Sequence, residues 1–80
     1  MSKITYGMVE EIYSLGNLSR RAYGIVAYAN AEEDGTATVV ASAHDLTSDR
    51  RRAERLAVEC NLGKLALHHF EDVIEDFLAE

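Results

Sequence analysis

The 80-residue sequence predicts an α+β domain: a three-stranded antiparallel meander followed by two helices packed on one face, in the order β-β-β-α-α. Two observations carry this expectation. The first half of the chain holds short apolar runs, rich in tyrosine and β-branched residues, separated by turn sequences. The second half changes period, and its apolar residues recur at helical spacing.

The first segment, 4–13 ("ITYGMVEEIY"), places Ile4, Tyr6, Met8 and Ile12 at period two. It also places Met8, Val9, Ile12 and Tyr13 at helical spacing, so strand and helix both remain open there. "SLGN" supplies a turn, and 21–29 ("RAYGIVAYA") reads as a second strand. "NAEEDG" is polar and ends in Asp-Gly, a hairpin signal, before a third strand over 36–43 ("TATVVASA"). In "DLTSDRRRAERLAVECN", Thr47 or Ser48 is the expected N-cap, with Asp49 in the first turn facing the helix dipole. Ala53, Leu56, Ala57 and Cys60 share one face of that helix, and Asn61 or Gly63 can end it in a left-handed conformation. A second helix begins at about Ala66, with Leu67, Phe70, Val73, Ile74, Phe77 and Leu78 as an apolar stripe. His68, Glu71, Asp72, Glu75 and Asp76 face elsewhere. Phe70, Ile74 and Phe77 are expected to seal a modest core against the sheet.

Composition bounds the function. Apolar residues make up 48% and charged residues 28%, which suits a folded globular domain and argues against disorder. No apolar run approaches the ~18 residues of a membrane span, and "MSKITYG" does not read as a signal peptide. With Cys60 as its single cysteine, the chain is expected in the reducing cytoplasm. The net charge of −6 is uneven: −3 over 1–46, +2 over 47–65 and −5 over 66–80. An acidic chain is a poor match for nucleic-acid phosphates. The cluster Arg50, Arg51, Arg52 and Arg55 is best read as internally paired, through Arg50–Glu54 and Arg55–Glu59 at i,i+4 or through the acidic second helix.

"YGI" at 23–25, "DLTSD" at 45–49, "ECN" at 59–61 and "HHFEDVIEDFL" at 68–78 resemble an uncharacterised family of short bacterial proteins, mainly from clostridia and related Firmicutes. That family closes in a His-x-x-Asp-Val-x-Glu-Asp-Phe helix, which His69, Asp72, Val73, Glu75, Asp76 and Phe77 match. The resemblance covers roughly 23–78. Where the family often opens its last helix with Ser-Pro, this chain has Ala66-Leu67 and lacks the N-cap oxygen. The resemblance implies a bacterial origin and assigns no chemistry.

Individual residues point the same way. His68 and Asp72 are i and i+4, and Asp76 adds a carboxylate one turn on, a donor set that suits a divalent metal. A metal site draws three or four ligands from more than one element, so the exposed-face reading is preferred and no metal or cofactor is expected. His69 is expected at the edge of the core, donating to a backbone carbonyl. Ser42, Ser48 and Cys60 read as strand, cap and core residues, so no catalytic residue is assigned and the chain is not expected to be an enzyme. The glycines form no phosphate-cradling loop.

The middle strand is apolar on both faces. Tyr23, Ile25, Val39 and Ala41 are assigned to the helix-covered face, and Val26, Tyr28 and Val40 to the other, where they form a candidate interaction surface. The expected function is a small soluble interaction protein, acting on an unidentified protein partner or on a second copy as a homodimer. The alternative is a metal- or ligand-binding module using His68, Asp72 and Asp76.

Overall fold

The structure, a computed structural model, describes residues 3–31 and 33–80. Strands β1 (Lys3–Leu15), β2 (Leu18–Asn30) and β3 (Ala37–Thr47) form one antiparallel sheet in the order β1-β2-β3. Helix α1 (Arg50–Leu62) follows, then a 3₁₀ turn at Leu67–His69 and helix α2 (Phe70–Ala79). The β-β-β-α-α order expected from the sequence is the observed one. In the first segment the period-two pattern prevails: β1 pairs residue for residue with β2 from Lys3↔Asn30 to Leu15↔Leu18. Gly16, at φ 61°, takes the first position of the two-residue loop between them, where the twist of a tight hairpin requires a left-handed residue.

The sheet buries one face. Ile4, Tyr6 and Met8 of β1, Ile25 and Ala27 of β2, and Ala41 and Ala43 of β3 meet Leu56, Ala57 and Cys60 of α1 and Phe70, Ile74 and Phe77 of α2. Tyr6 lies at the centre of this layer: its ring sits 5.5 Å from that of Phe70, and its hydroxyl donates to the Leu65 carbonyl at 2.8 Å. Burial pushes both the Tyr6 hydroxyl and the Cys60 thiol above their ordinary pKa values. Strands of 13 residues run to about 43 Å, close to the 46 Å length of the whole molecule. Since β3 pairs only with Tyr23–Asn30, the distal β1–β2 hairpin projects beyond it and leaves Ile12, Leu15 and Leu18 exposed.

Four local details differ from expectation. Asp49, not Thr47 or Ser48, caps α1: its carboxylate accepts from the N–H groups of Arg51 at 3.0 Å and Arg52 at 3.4 Å. The Thr47 hydroxyl is already engaged by the Asp49 N–H, because β3 runs on to Thr47. The left-handed residue after α1 is Lys64 (φ 49°), since Gly63 stays in the right-handed region and the Asn61 side chain is used elsewhere. The missing cap oxygen at Ala66 shows as a 3₁₀ turn: Ala66 is extended without a side-chain cap, and the α-helix proper begins only at Phe70. Finally, β3 carries an extra residue. Ala27 faces Ala41 while Tyr28 faces Val39, so Val40 is a bulge. Directly opposed residues share a face, so the bulge puts Val39 with Tyr28 on the open side, not beneath the helices.

Phe70, Ile74 and Phe77 are each at most 9% exposed. Ile74→Ala or Phe77→Ala should cost about 2–5 kcal/mol, read as a lower urea midpoint at unchanged slope. A midpoint equal to wild type would contradict this packing.

Candidate functional site

The two edges of the sheet are not alike. On β1, the Asn61 side chain at the end of α1 lies against the backbone of Tyr6: the Tyr6 N–H donates to Asn61 Oδ1, and Asn61 Nδ2 donates to the Tyr6 carbonyl, both at 2.8 Å. A carboxamide carries one donor and one acceptor, as a peptide group does, so Asn61 stands where another strand would pair. Ladder bonds alternate in direction along an antiparallel strand. With Tyr6 pointing outward, Gly7 bonds inward to Val26, so Val26 has no backbone bond left for its other neighbour, Ser42. The Ser42 N–H and carbonyl therefore point out of β3, and no partner for them occurs among the described residues. A groove of about 540 Å³ runs beside this edge, lined by Ala41, Ser42, Ala43, Leu67, Phe70 and Ile74 with His68, Glu71 and Glu75 at its rim.

The open face of the sheet holds a polar chain centred on Gly24. Between Tyr23↔Thr47 and Ile25↔Ala43 the register of β3 breaks, so His44, Asp45 and Leu46 bulge opposite Gly24 alone. A Cβ at position 24 would overlap the Ala43 carbonyl and crowd the Glu11 carboxylate. Without one, Glu11 of β1 reaches across the central strand. Its Oε1 accepts from the Asp45 N–H at 2.9 Å, and its Oε2 meets His44 Nδ1 at 2.5 Å. His44 Nε2 in turn lies 3.1 Å from Ser42 Oγ. The Asp45 N–H first, and then His44, hold the Glu11 carboxyl below the usual carboxylate range. Asp45 itself sits at φ 52°, a costly conformation for a residue with a Cβ. It is anchored by Arg20, whose two terminal nitrogens donate to its two carboxylate oxygens at 2.7 and 2.9 Å and hold its carboxyl low. Arg20 also stacks 5.0 Å from the Tyr13 ring.

The residues singled out from the sequence are dispersed. His68 rims the β3 groove, whereas Asp76 lines a different groove, between α1 and α2, beside Arg52 and Arg55. His68 lies in the 3₁₀ turn, which breaks the i,i+4 phase that would have stacked it on Asp72. Among the described residues no three potential ligands gather into a metal-holding group. His69 is exposed; its ring packs on that of His68, and Asp72 lies 4.0 Å away, so it does not serve as a core-edge donor. Of the proposed interaction surface, Val26 is buried at 7% exposure, Tyr28 is half-buried and Val40 is exposed at 41%. The exposed large apolar groups of β3 are Val39 and Val40. Arg50 pairs with Glu54 at 2.8 Å, and Arg52 reaches Glu80 at 3.2 Å while lying over the Phe77 ring. An Arg55–Glu59 pair is absent among the described residues.

Sequence reasoning passed over the Ser42–His44–Glu11 chain. Ser42 and His44 sit at i and i+2 on one strand, which was a usable signal. Glu11 lies 33 residues away and enters only through sheet register. No family model matches the chain, and neither a curated protein nor a solved structure is similar to it at a meaningful level.

The lowered Glu11 carboxyl has a consequence for stability. Because folding lowers its pKa, its contribution is complete above the ordinary carboxylate value and lost as pH falls through the lowered one. Glu11→Gln should melt below wild type at neutral pH, and the gap should close below about pH 4. Thermal melts across that range check this; a gap independent of pH would contradict the Glu11 bonds.

Proposed function

We propose that the chain is a small non-enzymatic interaction protein of the cytoplasm, which holds an extended, basic segment of a partner protein along the outer edge of β3. The contrast between the two sheet edges carries this reading. On one edge Asn61 of α1 holds both outward backbone groups of Tyr6, while Ser42 on the other presents an unmatched N–H and carbonyl beside an apolar groove. Such an edge accepts a further strand through main-chain bonds, and neighbouring pockets select its side chains.

The surroundings favour a particular occupant. Ala41, Ala43 and Leu67 suit small apolar side chains, and Glu71 and Glu75 at the rim suit lysine or arginine. The run of regular pairing, Ala41–Ala43, is bounded by a bulge on each side. Bulges guard an edge against open-ended pairing, so the segment held is short. A second copy of this chain brings the same acids to the same rim, which disfavours a homodimer through this edge. Lone Cys60, buried as a thiol, supports a reducing compartment. No helix among the described residues is long and apolar enough to cross a membrane.

A fluorescent peptide of alternating lysine and valine tests the reading by anisotropy. Wild type should bind it, and the doubly reversed Glu71→Lys, Glu75→Lys variant should bind at least about tenfold more weakly. Ser42→Pro, which removes an outward N–H without breaking a ladder bond, should abolish binding. Equal binding of a glutamate–valine peptide, or no effect of Ser42→Pro, would overturn it. Sedimentation showing a tight wild-type dimer would transfer the edge to a second copy.

A further inference from the structure

We propose that Ser42 is an acyl-acceptor site, activated by the His44–Glu11 pair, which takes a short acyl group from an acyl thioester or activated ester. The three side chains come in the order this chemistry needs. A carboxylate meets His44 Nδ1, and the serine oxygen meets Nε2 on the opposite side of the same ring. A carboxylate cannot donate, so the proton of that contact belongs to Nδ1. In the neutral ring Nε2 is then an acceptor, and the Ser42 hydroxyl donates to it. Glu11 thus sets the tautomer that turns a lone pair toward Ser42 Oγ, the arrangement in which histidine serves a serine nucleophile as general base.

The support around the pair is more than a surface contact requires. Glu11 is only 18% exposed and is tied at its other oxygen to the Asp45 N–H. That N–H is aimed by the left-handed backbone of Asp45, which a two-pronged bond to Arg20 holds in place. The crossing of Glu11 over the sheet depends on the missing Cβ at Gly24. Strained backbone and bulges of this kind commonly re-aim side chains at functional positions. Ser42 contributes a second group: its own N–H points out of the β3 edge and finds no partner among the described residues. It is a donor for the oxyanion that forms when a carbonyl is attacked.

The step balances without an outside oxidant. Ser42 Oγ bonds to the acyl carbon as His44 Nε2 takes the hydroxyl proton, and the oxyanion leans on the Ser42 N–H. The carbon–sulfur or carbon–oxygen bond of the donor then breaks, and the departing thiol or alcohol takes the proton back from His44. The product is an ester on Ser42.

The probe is p-nitrophenyl acetate, with release followed by absorbance and the label located by tandem mass spectrometry. Acetylation should fall on Ser42 well ahead of Ser14 and Ser19, which have no histidine partner among the described residues. His44→Gln and Glu11→Gln should each slow it at least about tenfold, with circular dichroism confirming that both fold. Ser42→Ala should abolish it, and the Glu71→Lys, Glu75→Lys variant, which loses the lysine–valine peptide, should still be acetylated at Ser42, so this proposal and the docking reading fail separately. Label on His44 with undiminished release in Ser42→Ala, or no preference for Ser42 over Ser14 and Ser19, would overturn the assignment.

Discussion

The pairing of the Asn61 carboxamide with the backbone of Tyr6 is the contact on which the rest of the architecture turns. A three-stranded sheet has two edges and two faces, and two short helices cannot cover all four. Asn61 lets α1 serve twice: Leu56, Ala57 and Cys60 cover the inner face, and the last turn holds the β1 edge at Tyr6. The same residue of β1 continues inward, where Tyr6 meets the Leu65 carbonyl and the Phe70 ring. One strand position therefore joins the sheet to both helices and to the loop between them. The same alternation of ladder bonds that turns Tyr6 outward on β1 turns Ser42 outward on β3.

A second constraint governs the open face. Gly24 lacks a side chain where β3 comes closest, and this allows a carboxylate from one edge strand to reach the other. The cost is a left-handed Asp45, offset by Arg20. The Ser42–His44 end of the resulting polar chain lies on the same strand as the unpaired edge. Docking and acyl transfer thus meet at Ser42: both call on its outward N–H, and acyl transfer alone uses its hydroxyl, backed by His44.

Much of the fold was legible in the sequence because its signals are local. Period-two runs, the Asp-Gly turn and the 3.6-residue stripe of Phe70, Ile74 and Phe77 each follow from a few neighbouring residues. Where a second element intervenes, the reading failed. Whether 4–13 was strand or helix depended on having β2 as a partner. The face of Val39 depended on a one-residue bulge that composition does not announce, since a slip of one position turns every later side chain over. The buried state of Val26 likewise follows from neighbouring strands on a face that sequence pattern alone leaves bare. The site was the least legible part, because Glu11 and His44 meet across an intervening strand, and Asn61 read as a helix stop and not as a substitute strand.

Charge joins these features. The five acids of 66–80 would strain α2 if they gathered on one patch. Instead Glu80 meets Arg52, Asp76 lies beside the arginines of α1, and Glu71 and Glu75 remain at the β3 groove. The unequal edges are the central claim, and amide hydrogen exchange followed by NMR tests it most directly. The Tyr6 amide should exchange slowly and lose much of its protection in Asn61→Ala, while the Ser42 amide should exchange at close to the rate of an unstructured peptide. A Ser42 amide as protected as that of Tyr6, or a Tyr6 amide indifferent to Asn61→Ala, would contradict the account.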